Sequence, residues 1–208
     1  MRWIMALRPS SGVATALLVA SGFRHGNLAI NWTVVVSVFL MTYLAMVWND
    51  YHDRDADIAK GRFLASSHPV YFRNMAFFLS IASITMSLRV MWQNQAFGFL
   101  CLAIWSACMF YPFAKTNALA KNMIVSLTMA STVTFPLLEG VHAPMLWLMA
   151  IITTITVSVR EHTKDIEDVE VDRGRKKTFA LALKKNLSKN EAVRLRTWTN
   201  IILVWMMI

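Results

Sequence analysis

Long apolar runs alternate with polar interruptions along this chain, and most of the runs are long enough to cross a bilayer. They occupy 11–23, 29–48, 74–92, 95–112, 122–140, 143–160 and 197–208. A helix needs about 17–25 mostly apolar residues to pass the hydrocarbon core. The pattern therefore predicts an all-α, multi-span transmembrane bundle. The last run stops after about 16 Å of helix, half a bilayer. That predicts one integral-membrane domain over 1–208, truncated at its C-terminus. The interruptions are unequal. Those at 24–27, 93–95 and 140–144 are short, whereas 50–73 and 161–196 are long and polar. Alternating sides places both long loops on one face, and length with charge on one face points to chemistry there.

Charge fixes which face that is. All but Arg24 and Arg89 of the 21 Lys and Arg fall on the side of the long loops. The positive-inside rule makes that side, and the N-terminus, cytoplasmic. The net charge of +9 is thus a topology signal and not a nucleic-acid footprint. Composition agrees: 56% of residues are hydrophobic and 16% charged, which leaves too little polar surface for a soluble domain. Cys101 and Cys108 share one run, about 10 Å apart along a helix, too far for a disulfide. They read as packing residues.

Two stretches on the inner face carry the same acidic spacing. The first is Asn49-Asp50-x-x-Asp53-x-x-x-Asp57 and the second has Asp165, Asp168 and Asp172. Positions i, i+3 and i+7 share one helix face. A solvated acidic loop would account for one such run; two matched runs on one membrane side ask for more. Facing triads of carboxylates repel unless cations lie between them. A pair of Mg²⁺ ions holding a diphosphate meets that need. Arg173 and Lys177, beside Asp172, fit anion binding. The distal Lys184, Lys185 and Lys189 fit a lipid-headgroup patch equally well.

These two runs resemble the paired signatures of the UbiA-type intramembrane prenyltransferases. The stretch from Arg160 through Lys164-Asp165-Ile166-Glu167-Asp168-Val169-Glu170-Val171-Asp172-Arg173 is similar in wording to the branch of digeranylgeranylglyceryl phosphate synthases and the chlorophyll and homogentisate enzymes. Arg8-Pro9, Tyr111-x-x-x-Lys115, Lys121-Asn122 and Thr178 are smaller echoes. The resemblance implies a nine-helix fold, of which about seven helices are present here. It implies prenyl transfer from an allylic prenyl diphosphate to an aromatic or lipid acceptor, with Mg²⁺. It implies that Asp50, Asp53, Asp57, Asp165, Asp168 and Asp172 hold the metals, one triad per ion, with Asn49 in support. It places Arg62, Lys115 and Lys164 near the diphosphate. There are departures. Lys60-Gly61-Arg62-Phe63 lacks the family's proline and glycine, Val171 replaces a glycine, and Thr178-Phe179-Ala180 replaces Thr-Leu-Pro.

Other polar residues read more plainly. Asp55, Glu167 and Glu170 point off the shared face and read as solvated. His52 and His162 read as interfacial, since Mg²⁺ prefers oxygen. Trp32, Trp48, Trp92, Trp147 and Trp198 lie near run ends, as an aromatic belt does. Lys60 and Lys121 suit topology determinants. Two other functions compete with the enzyme. One is a non-catalytic membrane remnant that still binds divalent cations or prenyl diphosphate. The other is an ion transporter with acidic gates, disfavoured because the runs carry almost no ionisable residues.

Overall fold

The computed structural model describes residues 9–58, 63–116, 118–168 and 189–207. Eight α-helices follow one another: α1 Pro9–His25, α2 Trp32–Ile58, α3 Leu64–Ser67, α4 Pro69–Gln93, α5 Gln95–Phe110, α6 Ala118–Ser131, α7 Pro144–Asp168 and α8 Lys189–Met207. Two 3-10 turns, Tyr111–Thr116 and Phe135–Glu139, follow α5 and α6. No strand occurs among the described residues. Stretches Trp32–Ile58, Pro69–Gln93, Gln95–Ala114 and Pro144–Asp165 are long and apolar enough to cross a bilayer.

Local chemistry sets the helix ends. Asn31 Oδ1 accepts from Thr33 N at 3.1 Å and Val34 N at 3.2 Å, starting α2. Asn94 does the same for α5 through Phe97 N at 3.1 Å. Such caps satisfy amides that no helical carbonyl can reach. Pro69 and Pro144 occupy first helical positions, where a missing N–H costs nothing. Asn27 closes α1 with φ 54°, the left-handed turn that ends many helices.

Helices α2, α4 and α5 pack together, as do α6, α7 and α8, and α1 lies against both groups. Each group carries one of the acidic runs. Phe23, Phe97 and Phe135 join α1, α5 and the second 3-10 turn, with ring centroids 5.4–6.4 Å apart. Between α2 and α4 the contact is polar and small: Ser37 Oγ lies 3.4 Å from Ser87 Oγ, and all of Ser37, Ser83 and Ser87 are buried. Outward faces carry Phe77, Phe78, Phe99 and Trp92, all exposed as lipid contact requires.

Two expectations change. The run at 122–140 is not one helix: α6 stops at Ser131 and a turn precedes the second 3-10 segment. Pro136 would clash with the carbonyl of Thr132 in a continued helix. Thr132 and Thr134 hydroxyls instead bond back to Met129 and Ser131 carbonyls, at 2.7 and 2.9 Å. The polar loop expected over 161–196 is helical at both ends, through Asp168 and from Lys189. The shared-face spacing asks for a helical first acidic stretch, and α2 does continue ten residues past its apolar run, through the whole of it.

The α4–α5 hairpin is close enough to test. A Cβ on Gly98 would overlap Met91 Cβ and Cα. Gly98→Ala should lower stability in detergent by about 1–3 kcal/mol, the usual cost of overpacking. An unchanged thermal midpoint would mean the hairpin is looser than drawn.

Candidate active site

The first acidic run and the described part of the second, Asp165 and Asp168 on α7, lie at the same end of the bundle. At the close of α2, Trp48 Nε1 donates to the Met109 carbonyl at 3.1 Å, and the His52 ring meets Phe113 at 5.3 Å. These contacts tie the first run to the 3-10 turn Tyr111–Thr116, which packs on α6. The start of α6 then reaches α7: Lys121 Nζ pairs with Asp165 Oδ1, and Asn122 Nδ2 donates to Asp165 Oδ2 at 3.1 Å. The opposite end holds the phenylalanine trio and the Asn94–Glu139 hydrogen bond, 3.3 Å.

On α2 the spacing does what a helix requires. Asp50 and Asp57 are each 8% exposed, and Asp53 is half-buried. Asp55 turns away, its side chain 84% exposed. Asn49 Nδ2 donates to Asp53 Oδ2 at 3.2 Å, while Asn49 Oδ1 is buried without a hydrogen-bond partner. Arg54 lies over the Tyr51 ring, 4.8 Å from its centroid, and donates to the Tyr51 carbonyl.

On α7, Asp165 faces α6 and Glu161 is buried one turn earlier. Arg160 Nη1 donates to Glu161 Oε1 at 2.8 Å, and Lys164 Nζ lies 3.9 Å from Glu161 Oε2. Lys164, expected beside a diphosphate, thus leans on its own helix. The two histidines behave alike. His52 Nδ1 lies 2.9 Å from the Trp48 carbonyl and His162 Nδ1 2.7 Å from the Ser158 carbonyl. Each is turned back along its helix, as an interfacial residue would be.

Asp168 ends α7 and Lys115 sits in the first 3-10 turn; both are placed by their elements. Arg62, Asp172 and Arg173 lie outside the described residues. Among the described residues no three His, Cys, Asp or Glu side chains converge as a ready-made cation site. The reason is axial: seven helical residues separate Asp50 from Asp57 by about 10 Å. The triad is a ladder along one face, not a cage.

Three residues of this end were not read as site residues from sequence: Lys121, Asn122 and Glu161. Lys121-Asn122 is a polar pair opening an apolar run, and Glu161 is i−4 from Asp165 on the same face. Those positions were the available signals.

Comparison with known proteins gives this arrangement its context. The family model described as UbiA prenyltransferase family matches residues 10–208. The chain belongs to the UbiA prenyltransferase family. Its activity is therefore prenyl transfer, and its setting is a membrane. A solved structure of a digeranylgeranylglyceryl phosphate synthase is similar, with a TM-score of 0.62 at 18% identity. It covers 99% of this chain and 76% of that one, a likeness of fold. No curated protein matches by sequence. UbiA enzymes as a family use a divalent metal to bind prenyl diphosphate and act on lipid-type acceptors.

The link between α2, just before the first acidic run, and the end of α5 can be weighed. Trp48→Phe removes one hydrogen bond and should cost about 1 kcal/mol. Trp48→Ala, which also removes ring packing, should cost several times more. Thermal unfolding in detergent reads both; no loss in Trp48→Phe would mean the indole N–H bond contributes nothing, and equal losses would mean the ring packing contributes nothing.

Proposed function

We propose that this UbiA protein moves a prenyl group from an allylic prenyl diphosphate to a membrane-associated acceptor, using Mg²⁺. The reading places the reaction at the bundle end shared by the acidic runs of α2 and α7. One observation carries it: two oxygen-rich helix ends lie at the same end of a lipid-facing bundle, each with an asparagine holding an aspartate.

The donor set fits Mg²⁺. Carboxylate and amide oxygens are hard ligands of the kind it takes. Asn49 Oδ1, buried and unbonded, is an acceptor waiting for a cation or a cation-bound water. Asp50, Asp53 and Asp57 would hold one ion, and Asp165, Asp168 and Asp172 the other. Because the first triad is a ladder along one face, diphosphate oxygens would complete the coordination. When bound, Mg²⁺ neutralises the departing diphosphate as the allylic C–O bond breaks.

The chain's own residues do the rest. Asn49 fixes the orientation of Asp53. Arg62, Lys115, Lys164 and Arg173, all near this end in sequence, supply donors for diphosphate oxygens. Lys164 would leave Glu161 to do so. Apolar helix faces accommodate the prenyl chain, which water would otherwise surround. The positive-inside asymmetry puts this end at the cytoplasmic face, and residues 1–208 act as one integral-membrane domain. Among acceptors, a glyceryl phosphate lipid is the first to assay, given the similar synthase.

Transfer from geranylgeranyl diphosphate, measured in vesicles, tests the reading. Asp50→Ala, Asp53→Ala, Asp165→Ala and Asp168→Ala should each lower the rate about a thousandfold or more, since metal-based charge stabilisation is worth several kcal/mol. Asp55→Ala should stay near wild type, and EDTA should stop the reaction. Transfer that survives EDTA would remove the metal from the account. A damaging Asp55→Ala would remove the one-face arrangement.

A further inference from the structure

Lys121 and Asn122 together occupy both oxygens of Asp165. The pair is nearly dry: the Lys121 and Asp165 side chains are 14% and 13% exposed. Asn122 is fully buried, its Nδ2 on Asp165 Oδ2 and its Oδ1 without a hydrogen-bond partner. A structural ion pair explains the lysine and the amide N–H. It does not explain a buried amide oxygen left unbonded, which folding normally avoids. Asn49 is built alike at the first acidic run: Nδ2 on Asp53, Oδ1 buried and unbonded. There the asparagine neighbours its aspartates in sequence. At the second run it comes from the adjacent helix, with an ammonium beside it.

We infer that Lys121 is a resident cation of the second half-site. It holds Asp165 while no divalent ion is present. It yields that carboxylate to a divalent ion when a diphosphate arrives to take the ammonium. The inference rests on the metal reading proposed above. Its physical basis is repulsion: an ammonium and a divalent ion on one carboxylate repel, with little water between them to screen. A bare divalent ion therefore binds against Lys121. A diphosphate brings enough negative charge for both cations. The lysine stem is flexible and its charge compact, so the ammonium can change partners without backbone movement. Asn122 stays on Asp165 as a positioning residue and offers its free Oδ1 to the incoming ion or its water. Metal and diphosphate then bind cooperatively, and no buried carboxylate is left unpaired in between.

The test uses the full chain in detergent. Equilibrium dialysis at fixed free Mn²⁺ counts protein-bound metal, with and without inorganic pyrophosphate. In wild type, pyrophosphate should tighten the weaker Mn²⁺ site at least tenfold. Lys121→Met should bind Mn²⁺ alone at least tenfold more tightly than wild type and lose most of the pyrophosphate gain. Lys121→Arg should keep the wild-type dependence. Thermal unfolding supplies a second readout. Metal-free Lys121→Met should melt lower than wild type, and Mn²⁺ alone should raise it by more than it raises wild type. A merely structural pair would give the loss without that recovery. Lys121→Gln serves the same readouts if the methionine variant does not fold. Equal Mn²⁺ affinity in wild type and the uncharged variants would overturn the inference alone. So would wild type that binds Mn²⁺ as tightly without pyrophosphate as with it. A wild type that binds no Mn²⁺ under either condition would overturn the metal reading and the inference with it.

Discussion

Charge cannot be left unpaired where a helix leaves hydrocarbon, and the end of the bundle that carries the acidic runs is organised by that constraint. A buried carboxylate without a partner costs several kcal/mol. Asp165 has Lys121 and Asn122; Glu161 has Arg160 and, more distantly, Lys164. To bring Lys121 to Asp165, α6 must begin level with the end of α7. Its 14 residues reach about 21 Å along the axis, and a turn with a 3-10 segment covers the remaining distance to the far end. The helix break at Thr132–Thr134 and the ion pair at Lys121 are thus two ends of one adjustment.

The same constraint governs how the two groups of helices relate. The α2 group and the α6–α8 group meet through α1 and through the α5–α6 connection. The Trp48–Met109 and Lys121–Asp165 contacts both cluster around that connection. A shift of the 3-10 turn Tyr111–Thr116 would therefore be felt by both acidic runs at once.

What the sequence disclosed depended on whether an interaction was local. The i, i+3, i+7 spacing is a property of one helix, so burial of Asp50 and Asp57 and exposure of Asp55 were legible. So were four membrane-spanning runs and the family likeness. The break in α6 was missed because the apolar run was followed straight through Pro136, which bars a continued helix. Lys121 looked like a topology residue, because its partner lies 44 positions away and only the packing of α6 on α7 reveals it. Lys164 went the other way. Its place in a signature suggested a ligand, while the i, i+3 neighbour Glu161 holds it at rest.

Buried serines and threonines share the interior of the bundle with its apolar core. Ser37, Ser83, Ser87, Ser126, Thr153 and Thr156 are inside, while large apolar side chains such as Phe77, Phe78, Phe99, Trp92 and Trp198 lie exposed on the outside. Lipid tails do not distinguish one large apolar side chain from another, so exchanges on the outer face change little. Interior contacts between small residues tolerate no such freedom, because close backbone approach depends on each of them. Substitution in such a protein is easiest on the perimeter and leaves the framework standing. A fold shared at 18% identity is what that division of tolerance produces.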